Sequence, residues 1–155
     1  MDNSVFSLAQ QLAAQLNVNR PFELRCQDAW ELKEHNEFDV VLSNGLNIYV
    51  PERQRVIALY ESILQTLRPN GTLVTSVLTP PPGKGADCEW NFDEIDKTAL
   101  VRQAGIFAHI LQATWSNYCT TEDMISRLQE AGLVDIEVIP DARNMFPTFV
   151  GRKPR

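Results

Sequence analysis

Small polar residues directly follow an apolar run at one point in the chain: Phe38-Asp39-Val40-Val41-Leu42 leads into Ser43-Asn44-Gly45. The run reads as a strand covered on both faces. Its carboxyl end is where open α/β sheets place their ligands. Asn47 and Tyr49 stand in the same loop and could address a bound molecule, although an ordinary strand-to-helix loop reads the same way. Asp2 and Asp28 each precede a turn or a helix start, where an aspartate either caps the helix or accepts hydrogen bonds from a ligand. Trp90, Phe92, Phe107, Trp115 and Tyr118 form an aromatic set that could line a pocket or fill a core. His109 shares their helix and reads as a satisfied or exposed histidine before it reads as a base. Asp87, Glu89, Asp93, Glu94 and Asp96 lack the central glycine and closing glutamate of a calcium loop, so the segment reads as solvated. Cys26, Cys88 and Cys119 are odd in number, without CxxC pairing, and the two histidines lie far apart, so no metal spacing arises. No residue is assigned a catalytic role.

The elements that must position these residues alternate along the chain. Val5, Leu8, Leu12 and Leu16 repeat at helical spacing behind Asp2, Asn3 and Ser4. Phe22, Leu24 and Cys26 alternate with Glu23 and Arg25, which predicts a half-buried strand. After the strand at Phe38, Pro51 opens a helix with Val56, Tyr60, Ile63, Leu64 and Leu67 on its inner face. Asn70-Gly71 reads as a turn, and Thr72 to Leu78 as a second buried strand. The tract TPPPGKG from Thr79 breaks regular structure. A helix is predicted from about Lys97 to Trp115, with Leu100, Ala104, Phe107, Leu111 and Trp115 on one stripe. Thr120 to Asp123 has capping-box spacing for a helix that reaches Gly132. Val134 to Ile139 alternates as a strand, and Phe146 to Lys153 is its expected hairpin partner. The sum is a single α/β domain with a mostly parallel sheet.

Composition narrows the function. A chain of 155 residues, 44% hydrophobic and 22% charged, supports one core and excludes a disordered or low-complexity chain. The scaling of surface with size predicts a folded surface of roughly 8,000 Å². The net charge of −6 and the lack of any basic run exclude a phosphate backbone as an expected partner. No apolar run approaches the ~20 residues needed to span a bilayer, and no leader pattern stands at the amino terminus. The expectation is a cytoplasmic chain that binds neither nucleic acid nor membrane.

In order and spacing, five segments together resemble the class I S-adenosylmethionine-dependent methyltransferases. Asp2-Asn3-Ser4 with Leu8 resembles the acidic strand end whose carboxylate binds ribose hydroxyls. Gln27-Asp28-Ala29 resembles the acidic turn that caps the adenine amino group. Phe38 to Pro51 resembles the fourth strand and the loop facing the methyl donor. Leu67-Arg68-Pro69-Asn70-Gly71 resembles the L-[KR]-P-G-G turn into the fifth strand, and the stretch from Thr120 to Pro154 resembles the last helix and terminal hairpin. The resemblance implies S-adenosyl-L-methionine as cofactor, held by Asp2, Asn3, Asp28, Ala29, Ser43, Asn44 and Gly45. It also implies a lid-like insertion at about 79–118, with Asn47, Tyr49, Trp90, Phe107 and Trp115 on the acceptor side. The family's Asn/Asp-Pro-Pro-Tyr/Phe sequence of base and glutamine methylases is replaced by Ser43-Asn44-Gly45-Leu46, so a small-molecule acceptor is expected.

The family's glycine-rich loop has no counterpart among the seven glycines. On the resemblance, the first one or two strands of the sheet are missing, which implies the carboxy-terminal portion of a catalytic domain. A second copy of the chain, or a polypeptide carrying the missing half, is then the expected cover for the open sheet edge. The alternative is a non-catalytic methyltransferase-like remnant that acts as an interaction module.

Overall fold

A computed structural model of the chain describes residues 4–83, 88–113 and 117–155. The elements in order are α1 (Ser4–Gln15), β1 (Phe38–Ser43), α2 (Arg53–Thr66), β2 (Leu67–Ser76), α3 (Lys97–Gly105), α4 (Thr121–Glu130), β3 (Val134–Ile139) and β4 (Thr148–Arg152). Short 3₁₀ turns stand at Asn47–Tyr49 and Phe92–Glu94, and a π-helical turn at Ile106–Ile110 extends α3.

The four strands form one sheet in the order β1-β2-β4-β3. β1 and β2 are parallel, with Val41 opposite Leu73 and Ser43 opposite Thr75. β4 is antiparallel to both of its neighbours, so two of the three pairings are antiparallel and the sheet is not mostly parallel as expected. The reason lies in the segment at Phe22–Cys26, which forms no strand. Its residues pair with no strand edge; instead Arg25 is bonded to Glu23 and Glu34. Alternation of side chains makes a strand only where a neighbouring edge accepts it. The Asn70-Gly71 turn likewise becomes an irregularity inside β2: Asn70 takes φ +63°, and the register with β1 shifts between Phe38 and Val40.

One face of the sheet is covered. Val56, Leu59, Tyr60 and Ile63 of α2 meet Met124, Leu128 and Ala131 of α4 over Leu73 and Phe149. Two helix starts follow the sequence, with Thr120 Oγ1 accepting from the Asp123 amide at 3.2 Å and Asp96 capping α3 through the amides of Thr98 and Ala99, whereas Leu67, expected on α2, begins β2. Gly132 ends α4 at φ +97°, a left-handed position that favours glycine.

The other face is open over β1 among the described residues. Val40 and Leu42, expected to be buried on both sides, are 56% and 75% exposed because no described element packs over them. The predicted apolar stripe of α1 exists, but Val5, Leu8, Leu12 and Leu16 are all exposed. The accessible surface is 10201 Å², well above the roughly 8,000 Å² expected for this chain length. No described helix is long and apolar enough to cross a membrane.

Candidate functional site

The carboxyl ends of β1 and β2 lie side by side, and the polar residues that follow them are held together. Asn44 Oδ1 accepts from Ser76 Oγ at 2.7 Å. Gly45 adopts φ +82° with open space around it, so a ligand can approach the backbone at this turn. A cleft of about 390 Å³ is lined by Asn44, Gly45, Ile48, Ser76, Phe146 and their neighbours. A second cleft, about 260 Å³, lies over Leu42, Ser43 and Val74 on the bare face.

Asn47 is turned inward and is only 2% exposed. Its Nδ2 donates to Tyr60 Oη at 2.8 Å and to the Ser76 carbonyl at 2.9 Å, while Tyr60 Oη lies 3.0 Å from Thr75 Oγ1. Burial pushes the Tyr60 phenol up to about 12, so it stays a neutral hydrogen-bonding partner. Asn117 Nδ2 donates to the Asn47 carbonyl at 3.1 Å, and Arg127 donates to Asn117 Oδ1 at 3.1 Å and to Asp123 Oδ2 at 2.6 Å. This buried chain of side chains fixes the Ser43–Tyr49 loop from behind. Cys119 joins it through a 3.4 Å contact to Asp123 Oδ2, and burial raises its thiol to about 12, far from a nucleophile. Tyr49 is exposed at the outer side of the same loop.

Asp28 comes to the same end of the molecule by another route. The segment after it runs alongside α2: Trp30 Nε1 donates to the Arg55 carbonyl at 2.7 Å, and the Leu32 amide donates to Ser62 Oγ at 3.2 Å. Arg55 stacks on the Trp30 ring, 5.0 Å from its centroid. Asp28 and Ala29 therefore stand near the amino-terminal end of α2, the end reached from β1 through the Ser43–Tyr49 loop. Asp28 Oδ1 accepts from the Trp30 amide at 2.9 Å, which fixes the carboxylate in a local turn.

Trp90 and Phe107 meet in one cavity of about 310 Å³ beneath α3. Trp90 Nε1 is bonded to the Thr79 carbonyl and hydroxyl at 3.2 and 3.0 Å, which orients the indole. α3 is shorter than expected: it ends at Gly105, and the π-helical turn that follows carries Phe107, which also lines the cavity. Pro81, Pro82 and Leu78 form another wall. Met145 and Phe146, which precede β4, line it too, and sequence reasoning missed both; their position depends on the Thr79 amide bonding the Met145 carbonyl at 3.0 Å across the fold. Phe146 lines this cavity and the Asn44–Gly45 cleft alike. Phe92, 6.3 Å from Trp90 between ring centroids, is partly exposed outside it. Asp2, Asn3 and Trp115 lie outside the described residues. Among the described residues no group of His, Cys, Asp and Glu is placed to hold a metal ion.

The same architecture recurs in solved structures. SibL, an S-adenosylmethionine-dependent methyltransferase in its apo form, superimposes with a TM-score of 0.70 at 14% identity, over 97% of this chain and 41% of that one. A SAM-dependent methyltransferase from Methanosarcina mazei gives 0.61 at 14% identity, over 99% of this chain and 79% of that one. This chain has the methyltransferase fold. A "possible exported protein" from Bordetella parapertussis shares 38% identity and a TM-score of 0.88 over 99% of this chain. The chain spans about half the length of that protein (51%) and less than half of SibL (41%). No family model and no curated protein matches the sequence.

At the strand ends Gly45 offers a backbone without a Cβ in the way, and Ser43 and Asn44 offer short polar side chains.

Proposed function

We propose that this chain supports S-adenosylmethionine-dependent methyl transfer to a small-molecule acceptor. The donor lies over the carboxyl ends of β1 and β2, against Ser43, Asn44 and Gly45, with Asp28 and Ala29 at its far side. The observation that carries the reading is the junction at Phe146: a cleft at the strand ends, with Asn44, Ser76 and Thr148 in its walls, and an apolar cavity share one wall. A donor in the first and an acceptor in the second would face each other across that side chain.

S-adenosylmethionine supplies an electrophilic methyl group on a sulfonium, already attached to a good leaving group. The protein's work is then mainly orientation of the two reactants. The Asn47–Tyr60–Thr75 bonds hold the donor loop still, and Trp90 and Phe107 give the acceptor a fixed wall. A base is needed only if the attacking atom must lose a proton.

Calorimetric titration with S-adenosylhomocysteine tests this. Micromolar binding that weakens in Asn44→Ala and Gly45→Val is the expected result; no binding at millimolar ligand would sink the proposal. A second reading, an interaction module built on the methyltransferase fold, is favoured by the exposed Val40 and Leu42 and the bare stripe of α1. Tight donor binding by a monomer would rule it out.

A further inference from the structure

We propose that the cavity beneath α3 takes an uncharged, ring-bearing molecule, and that the methyl acceptor belongs to this class. The second clause rests on the methyltransferase reading; the first does not. The cavity's volume, about 310 Å³, lies at the lower end of the range for small-molecule sites and suits a compound of one or two fused rings.

Its walls decide the chemistry. No carboxylate, ammonium, guanidinium or imidazole is among the described residues that line it. Asp96, Asp141 and Arg143 line a smaller neighbouring cavity of about 150 Å³, and all three are engaged. Asp96 Oδ1 caps α3 at 2.9 and 3.0 Å, Asp141 accepts from the amides of Phe146 at 2.8 Å and Arg143 at 3.2 Å, and Arg143 Nε donates to the Glu94 carbonyl at 3.2 Å. A charged ligand entering the larger cavity would lose hydration and find no counter-charge among its described lining residues.

Shape points the same way. Trp90, Phe107 and Phe146 present rings, and Pro81 with Pro82 presents a stiff surface, so a flat ligand gains contact at little cost in side-chain ordering. Because Thr79 already holds the Trp90 N–H, the indole offers its ring rather than a donor. Among the described residues, Gln103 and Tyr118 are the lining residues with free polar side-chain groups to offer, of a kind that suits a ligand hydroxyl or carbonyl.

The probes are 2-naphthol and its carboxylate counterpart, 2-naphthoate, titrated into the full chain at pH 7 and read by calorimetry. The expected result is a preference for 2-naphthol of about tenfold or more. Ala104→Glu, which adds a carboxylate at an exposed position of α3 on the cavity wall, abolishes that binding, while Ala104→Gln keeps most of it. Equal binding of the two probes, binding of neither, or equal losses in the two variants would overturn the inference. S-adenosylhomocysteine titrated into the same preparation separates the two claims. Naphthol binding without it sinks the methyltransferase reading and leaves the cavity assignment standing; its binding without any naphthol preference does the reverse.

Discussion

Removing the Tyr60 hydroxyl tests whether the Ser43–Tyr49 loop is held from inside the protein. The side chain is fully buried, and its oxygen joins Asn47 Nδ2 at 2.8 Å to Thr75 Oγ1 at 3.0 Å. In Tyr60→Phe the ring still fills its place, so no cavity forms and the loss is polar. Asn47 Nδ2 keeps the Ser76 carbonyl at 2.9 Å, but two hydrogen bonds disappear, each worth about 1 kcal/mol net. The Thr75 hydroxyl, almost wholly buried, loses a partner as well, which brings the expected cost to about 2–3 kcal/mol. Urea unfolding followed by tryptophan fluorescence reads this as a fall in midpoint of about 1 M at ordinary slopes. The double variant Tyr60→Phe/Thr75→Val removes both ends of one bond and costs less than the sum of the single changes by about 1 kcal/mol. A Tyr60→Phe change below about 0.5 kcal/mol, or strict additivity in the double variant, would refute the argument that this network fixes the loop.

Other consequences follow from single groups. Cys26 and Cys88 are exposed, whereas Cys119 is buried with its thiol raised to about 12, so a thiol reagent at pH 8 labels the first two in the folded protein and Cys119 only after unfolding. The Gln27 amide foremost, with backbone amides and Arg25, holds the Glu34 carboxyl down at about 2. Its contribution to stability is therefore complete above the ordinary glutamate range near 4.5 and is lost as pH falls through about 2. Glu34→Gln narrows the gap to the parent protein across that window, which acid unfolding at stepped pH measures. Gly132→Ala places a Cβ 3.0 Å from Leu64 Cδ2 at φ +97° and lowers the urea-unfolding stability by about 1–2 kcal/mol.

Much of the covered half was legible in the sequence because its signals are local. Val56, Tyr60 and Ile63 repeat along α2, Thr120 caps α4, and β3 pairs with β4 as the alternation from Val134 implies. Predictions that needed a distant partner fared worse. Phe22 to Cys26 has strand alternation but no edge to join, and Val40 and Leu42 have apolar side chains but no cover. Ser43 does end a strand that Asn44 and Gly45 follow, and Trp90 and Phe107 do share one cavity, as their order and type suggested. Met145 and Phe146 carried no signal, since only the closure of the chain at Thr79 brings them to the cavity. Asn47 illustrates a further limit: its type suggested a ligand contact, but its burial makes it a brace for the loop beside it.

The two faces of the sheet bear differently on the proposed donor site. The loop at Ser43–Gly45 is anchored through Asn47 to Tyr60 of α2 and, through Asn117, to Arg127 of α4, all on the covered side. Substitutions on the bare face, such as Leu42→Lys, touch none of these bonds, and Leu42 is 75% exposed, so little apolar burial is lost. The loop's shape therefore depends on the α2–α4 layer, while the area it offers a ligand depends on what lies above β1. A Leu42→Lys chain that keeps its unfolding midpoint but loses donor affinity would place the ligand on the bare face. Unchanged affinity would place it in the cleft toward Phe146, beside the apolar cavity.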